Sequence, residues 1–109
     1  MYKNHTLKAL AKTQANGTQT LGNRGFEYLP RHQIHIEVSA QPAAGTLKVE
    51  FLTPGATEYV EAAGSPVDLT ELNKAASFRL ENVFVESFRF TPANLDADKT
   101  YGVIVTSNE

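Results

Sequence analysis

Two histidines lie close enough together in this chain to suggest a metal site. His32 and His35 are three positions apart, a spacing that would put both imidazoles on one face of a helix and could bind zinc. The residues that follow alternate between apolar and polar types, which predicts a strand, and on a strand these two positions point to opposite faces. We therefore interpret the histidines as a surface pair and predict no metal site.

Acidic residues suggest two other kinds of chemistry, calcium binding and acid–base catalysis. Residues 94–98 (NLDAD) place oxygen-bearing side chains at alternate positions, as a calcium loop does. Lys99 stands where glycine is required, and no acid closes a twelve-residue loop. Glu58 and Glu61 could form a carboxylate pair, but a glycosidase needs two carboxylates across a cleft. We predict dispersed acids that keep the surface soluble.

The sequence contains no other catalytic signature. The chain has no cysteine, which excludes disulfides, thiolate metal sites and a cysteine nucleophile. No nucleophile elbow, Walker or dinucleotide glycine pattern occurs. The prediction is a protein that is not an enzyme and uses no cofactor. A small hydrolase is the least favoured alternative, and it would depend on Glu58, Asp96 or Asp98.

Charge divides the chain into two parts. Residues 1–33 contain five Lys/Arg and one acid, a net charge of +4, whereas residues 34–109 contain five Lys/Arg and eleven acids, a net charge of −6. A basic segment beside an acidic body favours contact between the segment and an acidic neighbour. The cations that we predict to dock on a partner are Lys3, Lys8, Lys12, Arg24 and Arg31.

The composition of residues 1–33 predicts an extended N-terminal arm. Residues 6–12 (TLKALAK) have weak helical character but are too short for a stable helix. Residues 13–25 are rich in Gly, Asn, Thr and Gln and cannot bury enough apolar surface to fold alone. The apolar residues that we predict to anchor this arm to a partner are Leu7, Leu10, Phe26 and Tyr28.

The pattern of residues 34–109 predicts a single β domain. Ile34, Ile36 and Val38 alternate with polar residues, and further short alternating runs follow between turn residues at near-regular spacing. Seven such runs predict an antiparallel β-sandwich, immunoglobulin-like or jelly-roll-like.

Two details refine this prediction. A β-bulge near residues 86–87 would place Val83, Val85, Phe88 and Phe90 on one core face, because one extra residue reverses the alternation. Leu95 and Tyr101 have the spacing of the tyrosine corner in such sandwiches, and the alternative is an ordinary core pair.

Several partners are disfavoured. No apolar run approaches the ~20 residues of a membrane-spanning helix, and no secretory signal is visible. The basic residues of the arm are too dilute for a typical nucleic-acid binder. We therefore expect protein partners, without nucleic acid or membrane.

Four segments resemble small β-sandwich structural proteins of tailed bacteriophage virions. They are residues 45–49 (GTLKV), 53–55 (TPG), 87–92 (SFRFTP) and 101–105 (YGVIV). The resemblance implies a non-enzymatic virion protein, such as a capsid decoration or accessory component. Such a protein would be made in the host cytoplasm, form a homo-oligomer, and contact the major capsid or other virion proteins through its arm. The alternative is an immunoglobulin-like module that binds carbohydrate or a receptor, for which exposed aromatic side chains on one face are expected.

Overall fold

A computed structural model describes residues 4–23, 25–71 and 75–108 of the chain. Nine strands lie within these residues: β1 Asn4–Lys12, β2 Gln19–Gly22, β3 Arg31–Val38, β4 Thr46–Leu52, β5 Val60–Glu61, β6 Val67–Asp68, β7 Ala75–Glu81, β8 Ser87–Ala93 and β9 Tyr101–Asn108. Two short 3-10 turns, Gln14–Asn16 and Leu69–Glu71, complete the described secondary structure. Neither these turns nor any other described segment forms a helix of the length and apolarity that a membrane crossing requires.

The strands form two antiparallel sheets. The first sheet has the order β1-β9-β3-β7, and the second has the order β2-β8-β4-β5, with β6 also paired to β4. Side chains from the facing sides of the two sheets form one hydrophobic core. The predicted all-β antiparallel sandwich is therefore confirmed.

The core follows the predicted alternation. Ile34, Ile36 and Val38 on β3 are buried, while the residues between them are only partly covered. Because successive side chains of a strand point to opposite faces, this pattern places one face of β3 against the second sheet. Residues buried elsewhere in the same core include Leu47, Val49, Phe88, Phe90, Val103 and Val105.

The segment before β8 reverses the alternation, as predicted, but by a longer irregularity than a single bulge. Val85, Phe88 and Phe90 are buried and Val83 packs against the core, whereas Phe84 is 45% exposed. Residues 82–86 lie outside any strand, and β8 begins at Ser87. The Glu86 amide donates to the Leu52 carbonyl over 2.7 Å, which connects this segment to β4.

The structure corrects the prediction of an extended arm over residues 1–33 and a body over 34–109. β1 pairs with β9, and β2 pairs with β8, so each sheet receives an edge strand from the N-terminal segment. The proposed boundary also falls inside β3 (Arg31–Val38). The low apolar content of this segment led us to predict no strands in it. Pairing at a sheet edge, however, is made by backbone N–H and C=O groups, which polar strands also possess.

One side chain, that of Gln14, connects the turn between β1 and β2 to the end of β8 and the residues after it. Gln14 Nε2 donates to the Pro92 carbonyl over 3.0 Å, and Gln14 Oε1 accepts from the Leu95 amide over 2.9 Å. One amide thus satisfies a backbone group of β8 and another just after it, at the point where the chain passes from the first sheet to the second.

Tyr101 and Leu95 are both buried, but they do not form a hydrogen-bonded tyrosine corner. Within the described part of the chain the Tyr101 hydroxyl has no hydrogen-bond partner, whereas a tyrosine corner uses that hydroxyl to bond backbone. Burial raises the pKa of the Tyr101 phenol to about 12. The pair therefore acts as part of the apolar core.

We expect Tyr101→Phe to leave the protein as stable as the wild type or to stabilise it by up to about 1 kcal/mol. The substitution removes a buried polar atom that makes no bond, so its desolvation cost disappears while the ring packing stays. Urea denaturation of the two proteins measures the difference in the free energy of unfolding. A loss of more than about 1 kcal/mol would contradict this account, because it would reveal a bonded hydroxyl.

Candidate functional site

The structure distributes the predicted docking residues over the sandwich. Lys3 and Arg24 lie outside the described residues. The strand β1 contains Leu7, Lys8 and Leu10. Lys12 is opposite Tyr101, at the start of β9, whereas Arg31 is opposite Asn108, at the end of β9. Phe26, Tyr28 and Arg31 are thus grouped near one end, and Lys12 is at the other end.

Two loops meet at the end that contains Arg31. Residues 23 and 25–30 precede β3, and residues 82–86 follow β7. The buried Asn23 side chain donates from Nδ2 to the Val85 carbonyl over 2.9 Å and to the Phe26 carbonyl over 3.2 Å. The Val83 amide donates to the Pro30 carbonyl over 3.2 Å. Both loops are therefore fixed to each other by backbone and amide bonds.

These loops expose two aromatic rings in contact. Tyr28 is 69% exposed and Phe84 is 45% exposed. Their ring centroids are 5.3 Å apart at an interplanar angle of 76°, an edge-to-face arrangement. We call this pair the aromatic platform. Aromatic rings usually bury most of their surface, so two that meet in solvent are available to a ligand.

A polar groove lies at the same end of the first sheet. It has a volume of about 230 Å³, and its exposed or half-buried polar lining consists of Arg31, Gln33, Arg79, Glu81 and Asn108. His32 and Leu80, both buried, complete the lining. Arg79 Nε donates to Gln33 Oε1 over 3.0 Å, and Arg79 Nη1 lies 3.8 Å from Glu81 Oε1. Guanidinium, amide and carboxylate groups together offer donors and acceptors in planar arrays. We call these five residues the polar groove.

His32 lies beneath the groove and faces the core. It is 1% exposed, and its Nε2 lies 2.8 Å from the Val83 carbonyl while its Nδ1 lies 2.7 Å from Ser107 Oγ. Because a carbonyl only accepts, Nε2 carries the proton and Nδ1 accepts from the Ser107 hydroxyl. Burial lowers the pKa of His32 below its ordinary value, so the ring is neutral at neutral pH.

This position corrects the interpretation of a surface histidine pair. His35 does face outward, where it contacts Glu37 Oε1 at 3.0 Å and Ser77 Oγ at 3.2 Å, so the prediction of opposite faces is right. His32 has the same parity as Ile34, Ile36 and Val38. Extending the alternation back by one step would have placed His32 in the core.

The outer face of the second sheet contains a separate ionic cluster. Arg89 donates to both oxygens of Glu50, from Nε over 2.9 Å and from Nη2 over 3.1 Å. The Arg89 guanidinium also lies 4.0 Å from the centroid of the Tyr59 ring. These hydrogen bonds from Arg89 hold the pKa of the 6% exposed Glu50 below its usual value. The cluster satisfies its own charges and joins β4 to β8.

The acidic candidates for catalysis do not converge. Asp96 accepts from the backbone amides of Ala43 and Ala44, at 2.8 and 3.2 Å, and Asp98 is exposed beside Lys99. Glu58 is exposed on the connection before β5. In the described ranges, no three His, Cys, Asp or Glu side chains gather in a way that could hold a metal ion.

Comparison by sequence gives no relative of this chain. No protein-family model matches it, and no curated protein matches it.

Comparison by structure gives similar folds at low identity. A family 29 carbohydrate-binding module matches with a TM-score of 0.59 and 11% identity, over 98% of this chain and 77% of that one. A variant of the module CBM29-2 complexed with cellulohexaose matches with a TM-score of 0.54 and 11% identity, over 97% and 80% of the two chains. Pseudomonas aeruginosa AlgX matches with a TM-score of 0.55 and 12% identity, over 94% of this chain but 26% of AlgX. The chain thus shares its β-sandwich fold with carbohydrate-binding modules.

Proposed function

We propose that this protein is a non-catalytic carbohydrate-binding module whose ligand is a polysaccharide chain. The observation that carries the proposal is that the aromatic platform and the polar groove lie at the same end of the first sheet. The alternative function inferred from the sequence predicts exposed aromatic side chains, and Tyr28 and Phe84 have that exposure.

The chemistry of a sugar matches these two surfaces. A pyranose ring has an apolar face of C–H groups, which packs on an aromatic ring, while its hydroxyls at the ring edge need hydrogen-bond partners. The platform supplies the apolar surface. Gln33, Arg79 and Asn108 in the groove supply amide and guanidinium groups that bond hydroxyls in a plane. A chain of several sugar units could contact both surfaces.

The site is already organised before a ligand arrives. Asn23 ties one loop to the other over 2.9 Å, and Gln33 orients Arg79 over 3.0 Å. A binding site whose side chains are held in place loses less conformational entropy when the ligand binds. Rigid loops at the end of a sandwich therefore favour a binding role.

The similar structures support this function without identifying the ligand. Two of those described above are carbohydrate-binding modules, and one of them is complexed with cellulohexaose. The phage-virion function, the capsid partners, the homo-oligomer and the virion location stay predictions from the sequence resemblance. No described feature of the fold favours them over glycan binding.

We expect Tyr28→Ala and Phe84→Ala each to weaken glycan binding at least about tenfold, since each removes an aromatic anchor of the site. Titration calorimetry with cellulohexaose, together with a screen of soluble polysaccharides, measures the effect. Both residues are exposed, so both variants should unfold at nearly the same temperature as the wild type.

Val60→Ala is the matched control. Val60 is 55% exposed and lies on β5, an edge strand that β4 separates from β8 in the second sheet, so its truncation should leave the affinity unchanged. The proposal fails if the wild-type protein binds none of the polysaccharides. It also fails if the two platform variants bind as tightly as the Val60→Ala protein.

A further inference from the structure

Two arginines on the outer faces of the two sheets differ in how their charge is neutralised. On the second sheet, Arg89 donates to both oxygens of Glu50, from Nε over 2.9 Å and from Nη2 over 3.1 Å. On the first sheet, Arg79 donates from Nε to Gln33 Oε1 over 3.0 Å, and a side-chain amide is uncharged. The Arg79 guanidinium is therefore oriented by a group that does not neutralise it.

Glu81 is the carboxylate near Arg79, but it does not hold that arginine as Glu50 holds Arg89. Arg79 Nη1 lies 3.8 Å from Glu81 Oε1, which is too long for a hydrogen bond. The Arg79 and Glu81 side chains are 73% and 54% exposed, whereas that of Glu50 is 8% exposed. Water and salt screen an ion pair this exposed, so the carboxylate of a ligand can compete with Glu81 for the terminal nitrogens of Arg79.

The polar groove has more positive than negative charge. Arg31 on β3 is directly opposite Glu81 on β7, so the groove contains two guanidinium groups and one carboxylate, a net charge of +1. The chain as a whole has a net charge of −2, which makes the groove a local exception. Its volume of about 230 Å³ is below the ~300 Å³ of pockets that enclose a drug-sized ligand, which suits one unit of a longer chain.

We infer that the polysaccharide is acidic, and that Arg79 binds an anionic oxygen group of one sugar unit, either the carboxylate of a uronic acid or a sulfate ester. This inference rests on the proposed function, in which the aromatic platform contacts the apolar face of the chain. A guanidinium binds such a group with two parallel N–H···O bonds, which are stronger than bonds to a neutral hydroxyl. Gln33 occupies Nε, so Nη1 and Nη2 of Arg79 make the contact.

Soluble polymers that share a backbone separate the effect of charge from that of shape. C6-oxidised cellulose has carboxylates, cellulose sulfate has sulfate esters, and hydroxyethyl cellulose is neutral. Polygalacturonate and its methyl ester are a second acidic and neutral pair on a different backbone. Titration calorimetry of the full-length protein measures the affinity for each polymer at low salt and at about 0.5 M NaCl, where exposed charges are strongly screened.

Three substitutions in the groove test the contact. Arg79→Gln removes both the charge and the planar fork, Arg79→Lys keeps the charge without the fork, and Glu81→Gln removes the competing carboxylate. Both residues are exposed, so these proteins should unfold at nearly the same temperature as the wild type. Lys48→Gln is the matched control, because it removes one positive charge from the second sheet, where Lys48 is 49% exposed.

We expect at least one acidic polymer to bind the wild-type protein about tenfold more tightly than the neutral polymer of the same backbone, and to lose this advantage at high salt. Arg79→Gln should bind acidic and neutral polymers equally, Arg79→Lys should keep part of the preference, and Glu81→Gln should increase it. Lys48→Gln should resemble the wild type. The inference is overturned if no acidic polymer is preferred, if Arg79→Gln keeps the preference, or if Lys48→Gln loses as much of it as Arg79→Gln does.

Failure of the proposed function gives a different result from failure of this inference. If the neutral polymers bind and the acidic ones bind no more tightly, the inference is wrong and the carbohydrate-binding function stands. If an acidic polymer binds through Arg79 but Tyr28→Ala and Phe84→Ala bind it as tightly as the wild type, the role of the platform is wrong and that of Arg79 stands. A protein that binds none of the polymers refutes both.

Discussion

We expect a chain that lacks residues 1–22 not to fold cooperatively on its own. The deletion removes β1 from β9 and β2 from β8, so both sheets lose an edge strand at once. It also removes Leu21, which packs against the core opposite Phe88. The free energy of unfolding of a small domain is only about 5–15 kcal/mol. We expect the loss of the contacts of two strands to cost more free energy than this.

Circular dichroism and urea denaturation of the truncated chain test this expectation. The matched control is the full-length protein with Lys8→Gln and Lys12→Gln, which removes two positive charges of the segment but keeps its backbone. It should unfold with wild-type cooperativity. If the truncated chain unfolds in a sharp transition like that of the wild type, the expectation is wrong, and residues 1–22 are an arm that the fold does not need.

Phe88→Ala should destabilise the protein by about 3–5 kcal/mol, the cost of emptying a large aromatic site in a packed core. Phe88 is fully buried, lies parallel to Phe90 with centroids 6.4 Å apart, and meets His32 edge-on. Its position at the centre of the second sheet leaves its neighbours little freedom to fill the space. Urea denaturation at neutral pH measures the change in the free energy of unfolding.

Phe84→Ala is the control for the same chemical change only four positions away. Phe84 is 45% exposed, so its removal should cost less than about 1 kcal/mol. The two variants therefore separate stability from binding, because Phe84→Ala should lose glycan affinity and Phe88→Ala should lose stability. Equal losses of stability would contradict the difference in burial between the two rings.

The period of two was enough to predict the fold class and much of the core. Ile34, Ile36 and Val38 alternate in the sequence and are buried in the structure, because side-chain direction along a strand is a local property of the backbone. The reversal of the alternation around residues 83–90 could also be predicted, because the apolar residues change there from odd to even positions. Local pattern therefore determined which side chains face inward.

Only part of the candidate site could be predicted from the sequence. Phe26, Tyr28 and Arg31 were predicted to contact a partner, and the structure groups them at one end of the sandwich. The ring that meets Tyr28 belongs to Phe84, far along the chain, and their contact depends on how two loops close. No local pattern specifies such a distant pair.

The sequence by itself determined an all-strand sandwich with a defined inward face. Only the tertiary structure decided that the polar N-terminal segment supplies two edge strands, that Tyr28 meets Phe84, and that His32 bonds the Val83 carbonyl. The physical reason is that strand pairing at an edge uses backbone groups common to all residues except proline. The choice of partner then depends on which edges and loops the folded chain brings together.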